Sequence, residues 1–93
     1  MAYEYLDSVG EVNAPAPTIG GMKLLGMCVD SQIRGLYPQL EQLIDNGSSG
    51  QPMQLAAEVV ALWDKVSDPS LRSILTNLAN AARNSKGFIS VVM

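Results

Sequence analysis

Residues 51–87 constrain the fold of this 93-residue chain more than any other stretch, because their pattern predicts two amphipathic helices joined at a proline. Pro52 suits the first position of a helix, since its fixed φ is helical and its missing N–H would have no partner there. After it, apolar residues recur at steps of three and four, the period of one helix face. That face consists of Met53, Ala56, Val59, Val60, Trp63 and Val66, whereas Gln54, Glu58, Asp64 and Lys65 fall largely outside it. The first helix is therefore predicted over about residues 52–66.

The second helix of this pair is predicted to begin at Pro69. The residue before a proline is pushed out of the α region, and Ser67 or Asp68 can accept hydrogen bonds from the free N–H groups of the next turn. A second apolar stripe follows, made of Leu71, Ile74, Leu75, Leu78 and Ala82. These features predict a helix over about residues 69–86, and the short connection favours an antiparallel hairpin.

Residues 22–45 carry another helical stripe, which runs through Pro38 without a break. Its apolar members are Leu25, Val29, Ile33, Leu36, Leu40 and Leu43 or Ile44. A proline inside a helix removes one hydrogen bond and clashes with the carbonyl four residues earlier. The stretch is therefore one kinked helix or two helices, and we favour two, with Pro38 opening the second. Residues 46–50 (Asn-Gly-Ser-Ser-Gly) are a strong loop signal.

The two ends of the chain carry weaker signals. Residues 1–19 are predicted as an extended N-terminal arm, in which Tyr3 and Tyr5 alternate with Glu4 as in a short strand or an acidic recognition tail, and residues 13–17 form a polyproline-like spacer. Residues 88–93 are apolar and rich in β-branched side chains. Chain ends are usually polar and frayed. We therefore expect this tail to be buried, as helix, strand or coil, on its own domain or in a neighbouring subunit.

Together these elements predict an all-α fold. We expect a small bundle of three or four helices, centred on the antiparallel helical hairpin of residues 52–66 and 69–86. The extended arm, residues 1–19, precedes a single helical domain that spans residues 20–93 and ends in the apolar tail.

The charge of the chain argues against several classes of partner. Its formal net charge is −3, its pI is about 4.6, and its six Lys and Arg residues are spread from Lys23 to Lys86. The chain lacks the basic patch of a nucleic-acid binder, so no nucleic-acid partner is expected. No run approaches the roughly 20 apolar residues that span a bilayer, and the first residues lack the pattern of an ordinary secretory signal. We therefore expect a cytoplasmic protein, with signal-less export left open.

The chain offers little for catalysis or metal binding, because it contains no histidine and one cysteine. Histidine is the commonest general base and the commonest metal ligand. The nine carboxylates are scattered, and one helical pair, Glu41 and Asp45, lies on a predicted outer face. Cys28 has no cation at a neighbouring helical position to activate it, so a buried thiol is expected. Residues 45–48 lack the ligand spacing of a calcium loop. We predict no catalytic residue, no metal and no cofactor.

The composition favours a protein that hides part of its surface in a partner. Charged residues make up 16% of the chain, below the roughly 25% of average globular proteins. The second hairpin helix also carries a polar stripe, which is either a solvated helix back or a hydrogen-bonding contact surface; it comprises Arg72, Thr76, Asn80 and Arg83. Trp63 is a core residue in a monomer and an interface anchor in an oligomer.

We therefore predict a non-enzymatic protein–protein interaction or assembly subunit, either a homo-oligomer or a small component of a larger complex. The predicted interface residues are Trp63, Arg72, Thr76, Asn80, Arg83, Phe88, Ile89, Val91, Val92 and Met93. The alternative is a small helical module that binds an apolar small molecule or peptide in a groove lined by Met and Leu side chains, with Met22, Met27, Met53 and Tyr37 in its lining.

Overall fold

The computed structural model describes residues 2–7, 12–32, 35–85 and 87–92, and over these ranges the chain forms four helices and a four-stranded antiparallel sheet. In chain order the elements are β1 (Ala2–Leu6), β2 (Val12–Thr18), α1 (Ile19–Asp30), α2 (Pro38–Asn46), β3 (Ser48–Ser49), α3 (Pro52–Trp63), α4 (Pro69–Asn84) and β4 (Ile89–Val92). The fold is mixed α/β, so the prediction of an all-α helical bundle is wrong.

The sheet joins the two ends of the chain. Its strand order is β2-β1-β4-β3, and β4 pairs with β1 on one side (Tyr5 opposite Val91) and with β3 on the other. The conformation of the tail was left open by the sequence, and its residues Ile89–Val92 form the strand β4 inside the sheet. Residues 2–6 and 12–18, predicted as an extended arm, are strands β1 and β2. Pro15 and Pro17 lie in the edge strand β2, where a missing N–H need not interrupt a ladder.

The helix boundaries follow local signals in the sequence. The Thr18 hydroxyl caps α1 by accepting from the Gly21 N–H at 3.1 Å, and the Asp68 carboxylate caps α4. Pro38 opens α2, which confirms that residues 22–45 contain two helices rather than one. α2 ends at Gly47, whose φ of +79° favours glycine. This turn leads the chain directly into β3, so the segment predicted as a loop contains a short strand.

One face of the sheet packs against the helices. Tyr5 and Ile89 point to this face and join the leucines of all four helices in one core. Glu4 and its cross-strand neighbour Val92 lie on the opposite face and are exposed. The result is a helical layer on an antiparallel sheet with one open face, a common arrangement for such sheets.

The predicted apolar stripe of α4 is buried at four of its five positions, whereas the prediction for α3 is partly wrong. Leu71, Leu75, Leu78 and Ala82 of α4 lie in the core, and Ile74 is half-buried against it. In α3 the buried residues are Leu55, Ala56, Glu58, Val59 and Leu62. Met53 is instead 68% exposed and Val60 40% exposed. α3 is apolar around most of its circumference, so periodicity alone does not fix which face packs inward.

Glu58 is the main departure from the predicted polar face of α3, because it is only 8% exposed. Its carboxylate accepts hydrogen bonds from the backbone N–H groups of Gln39 at 2.9 Å and Leu40 at 3.0 Å, in the first turn of α2. It also accepts from the Gln54 side-chain amide at 3.0 Å. α2 has no side-chain cap of its own. A carboxylate from α3 therefore satisfies the free donors at the positive end of α2.

Candidate functional site

The helices α3 and α4 pack against each other and leave a groove of about 170 Å³ on their outer side. We call it the α3–α4 groove; it is lined by Val59, Val60, Trp63, Leu75, Thr76, Ala79, Asn80 and Arg83. Its volume resembles that of a cavity that holds one benzene-sized apolar group. The groove can therefore take one apolar side chain, with polar groups of α4 beside it.

Trp63, the last residue of α3, lines this groove and contacts Arg72. The guanidinium carbon of Arg72 lies 4.0 Å from the centroid of the indole ring, a cation–π contact. The Nε–H of Arg72 also donates to the Val66 carbonyl at 2.6 Å. Arg72 therefore stacks on the indole while it is bonded to the Val66 carbonyl, and these contacts orient the Trp63 ring in the groove wall.

The polar stripe of α4 forms one edge of the groove. The Thr76 hydroxyl donates to the Arg72 carbonyl at 2.9 Å and is thus bonded to its own helix. Asn80 and Arg83 are exposed, and no side-chain hydrogen bond to another described residue engages them. The Asn80 amide and the Arg83 guanidinium are therefore the polar groups that this edge offers to a partner.

The electrostatics of the groove differ from those of the chain as a whole. Among the residues of α3 and α4, Glu58 is the only carboxylate, and it is buried against α2. The other charged side chains of the two helices are Arg72 and Arg83. The groove is thus flanked by cations in a chain of net charge −3, with Asp64 and Asp68 confined to the connection between the helices.

The structure brings the predicted interface residues of the hairpin together and separates them from the tail. Trp63, Thr76, Asn80 and Arg83 line the groove, with Arg72 stacked on Trp63. In the tail, Ile89 is in the core, Val91 is half-buried against it, and Phe88 and Val92 are exposed. Met93 lies outside the described residues. The sequence missed the contribution of Val59, Val60, Leu75 and Ala79 to the groove, because it assigned the first three to core stripes and gave Ala79 no role.

The residues proposed for a Met-lined groove lie at separate places. Met22 and Met27 line one shallow depression with Ile19 and Ile44. Tyr37 lies beside a different one, where the Lys65 ammonium is 5.6 Å from its ring centroid. Met53 projects from the start of α3.

The described residues offer little support for thiol chemistry or for metal binding. Burial raises the pKa of the Cys28 thiol, which disfavours the reactive thiolate. No group of three or more Cys, Asp or Glu side chains in the described ranges is placed to hold a metal ion. Among the helices described, none is long and apolar enough to cross a membrane.

Asp30, Glu41 and Asp45 line a cavity of about 360 Å³ between α1 and α2. One of them, Glu41, accepts a hydrogen bond from the Gly35 N–H at 3.3 Å. Glu41 and Asp45, predicted on an outer face, are half-buried and exposed respectively.

Comparisons with family models, with curated proteins and with solved structures find no match for this chain. Its function is therefore inferred from its own residues.

Proposed function

We propose that this chain is a non-enzymatic protein–protein interaction or assembly subunit, and that the α3–α4 groove receives an apolar side chain of its protein partner. The observation that supports this most is that Trp63, Thr76, Asn80 and Arg83, which come from two helices, line one apolar groove. These residues combine a floor without charge, an aromatic wall and a polar edge. That combination is typical of the centre of a protein interface.

The contact between Arg72 and Trp63 supports the same proposal. Tryptophan and arginine dominate the binding energy of many interfaces, where they sit in well-packed pockets. Because Arg72 already orients the indole, docking costs little side-chain entropy at this position. A partner therefore gains the contact area of the ring, and the ring loses little conformational entropy on binding.

The cytoplasmic location belongs to this proposal as well. The cysteine of the chain, Cys28, is a free thiol, which suits a reducing compartment. Signal-less export stays open.

Trp63 provides the test, because it is the only tryptophan of the chain and its fluorescence reports on the groove. We would titrate the protein with two helical peptides of about 18 residues that carry the same leucines at helical spacing. One peptide has an acidic polar face and the other a basic one. We expect a saturable change in Trp63 emission with the acidic peptide, and a change at least about tenfold weaker with the basic one.

Two variants of similar exposure separate the groove from the rest of the surface. Val60→Gln changes the groove lining, whereas Val92→Gln changes the open sheet face, and both side chains are exposed in the native protein. Val60→Gln should weaken the response, and Val92→Gln should leave it unchanged. The proposal is wrong if no peptide, and no increase in protein concentration, alters Trp63 emission. Saturable binding of an apolar dye at the groove without any peptide binding would favour the small-molecule alternative instead.

A further inference from the structure

A second surface of the chain combines exposed apolar side chains with a net charge of the opposite sign. The cavity between α1 and α2 and the depression beside α1 share Asp30 and Ile44, so they form one continuous surface. We call it the α1–α2 face, defined by Ile19, Met27, Asp30, Ile44 and Asp45. The half-buried Glu41 and the exposed Lys23 also line it, so three carboxylates stand against one cation. Met27 is 69% exposed, the largest exposed fraction of any large apolar side chain described. Asp30 and Asp45 are exposed beside it.

The α1–α2 face and the α3–α4 groove complement each other. One presents a projecting methionine near two exposed carboxylates and one lysine, Lys23. The other presents an apolar recess of about 170 Å³ next to the Arg83 guanidinium. Methionine adapts to irregular apolar recesses better than branched side chains do. Charge complementarity of this kind fixes the register of two surfaces and speeds their encounter.

We propose that the occupant of the α3–α4 groove is the α1–α2 face of a second copy of this chain, with Met27 in the recess and Asp30 and Asp45 facing Arg83. This inference rests on the proposed function of the groove. A dimer of groove against groove would instead bring two cation-flanked surfaces together, where like charges repel. The proposed contact joins two different surfaces, so an open chain of copies leaves one groove and one face free at its ends. Such association continues beyond the dimer or closes into a ring.

The association should depend on concentration and on salt. Sedimentation velocity of the full chain from about 10 μM to about 1 mM should show species larger than a dimer at low ionic strength. Raising the salt from about 20 mM to about 500 mM should weaken the association by about tenfold or more, since the Debye length falls below the size of the contact.

Charge reversal gives the decisive test. Arg83→Glu alters only the groove, and the double variant Asp30→Lys, Asp45→Lys alters only the α1–α2 face. Each should raise the concentration needed for association by about tenfold or more, because like charges then meet across the contact. An equimolar mixture of the two proteins should associate again, because each reversed surface finds a complementary one. Lys65→Glu and Glu4→Lys, at exposed positions outside both surfaces, should associate as the wild type does.

The outcomes separate this inference from the proposed function. If the wild type stays monomeric at about 1 mM and low salt while the acidic peptide still changes Trp63 emission, the self-association is wrong and the groove serves another partner. If the chain associates but the mixture of reversed variants gains nothing over each alone, the contact lies elsewhere and the inference is wrong. If neither peptides nor self-association affect Trp63, both proposals fail.

Discussion

At the scale of single residues, the core of this protein contains hydroxyl groups that packing alone does not explain. Tyr5 is completely buried, and its Oη has no hydrogen-bond partner among the described residues. Burial raises the pKa of this phenol well above its usual value, because the ionised form is poorly solvated in the core. An unpaired buried hydroxyl costs stability, so we expect the Tyr5 hydroxyl to be unfavourable while the ring contributes apolar contact.

Replacing Tyr5 by phenylalanine should separate these two effects. Tyr5→Phe keeps the ring and removes the unpaired hydroxyl, so the free energy of unfolding at neutral pH should stay equal or rise by about 1 kcal/mol. Urea denaturation followed by circular dichroism measures this change. Tyr3→Phe, at a half-buried ring, is the control and should change the stability less. A clear loss of stability in Tyr5→Phe would show that the hydroxyl has a stabilising partner.

The raised pKa of Tyr5 also predicts a pH dependence with a definite sign. Above pH ~10 the unfolded chain releases the phenolic proton, whereas the folded chain retains it. The unfolded state then binds fewer protons, so stability falls as pH rises, by up to about 1.4 kcal/mol per pH unit from this group. Between pH ~9 and ~11 the wild type should therefore lose more stability than Tyr5→Phe does. Parallel curves for the two proteins would contradict the shift.

At the scale of secondary-structure elements, α2 depends on its neighbour α3. α2 has nine residues, and isolated helices of this length are marginal in water. The carboxylate of Glu58 accepts from Gln39 and Leu40 at the N-terminus of α2. The Ser49 hydroxyl donates to the Gln39 side chain at 2.7 Å, so β3 joins the same network. These hydrogen bonds position α2, which contributes Ile44 and Asp45 to the α1–α2 face.

Removing the Glu58 carboxylate should destabilise α2 more than removing Glu41, a carboxylate of α2 itself. Glu58→Ala leaves the buried Leu40 N–H and the part-buried Gln39 N–H without their partner, so the free energy of unfolding should fall by about 2–3 kcal/mol. Glu58→Gln keeps one acceptor and should lose about half as much. Glu41→Ala is the control, because its carboxylate makes one longer bond, to the Gly35 N–H at 3.3 Å. Urea denaturation gives the energies, and amide hydrogen exchange at Gln39 and Leu40 locates the effect. Equal losses in Glu58→Ala and Glu41→Ala would show that the cap contributes little.

The elements that the sequence predicted are those specified by neighbouring residues. The break at Pro38, the cap at Asp68 and the stripe of α4 all depend on contacts within a few positions. The polar edge of the groove was predicted for the same reason, since Thr76, Asn80 and Arg83 lie one turn apart on one helix. The recess itself was not predicted from the sequence. Its shape depends on which face of α3 turns inward, and α3 is apolar around most of its circumference.

At the scale of the whole molecule, the sequence did not predict the sheet, because its strands pair segments from opposite ends of the chain. Tyr5 lies opposite Val91, and no local pattern indicates which distant segment will supply a strand's partner. Short strands with prolines, such as β2, also resemble extended linkers. The same pairing has an energetic consequence, since β4 lies between β1 and β3 and carries Ile89 into the helical core. The sheet and the hairpin should therefore unfold as one unit.

Substitutions in β4 test this coupling between sheet and hairpin. Ile89 is fully buried, so Ile89→Ala should lower the free energy of unfolding by about 2–5 kcal/mol through lost contacts and a cavity. Val92 is exposed on the open face, so Val92→Ala should cost less than about 1 kcal/mol. Trp63 fluorescence reports on the hairpin and far-ultraviolet circular dichroism on the whole chain. In one cooperative unit both signals shift together to lower urea in Ile89→Ala, because losing β4 exposes the core on which α3 and α4 pack. If the Trp63 transition stays at the wild-type midpoint while the circular dichroism shifts, the hairpin folds independently of the sheet.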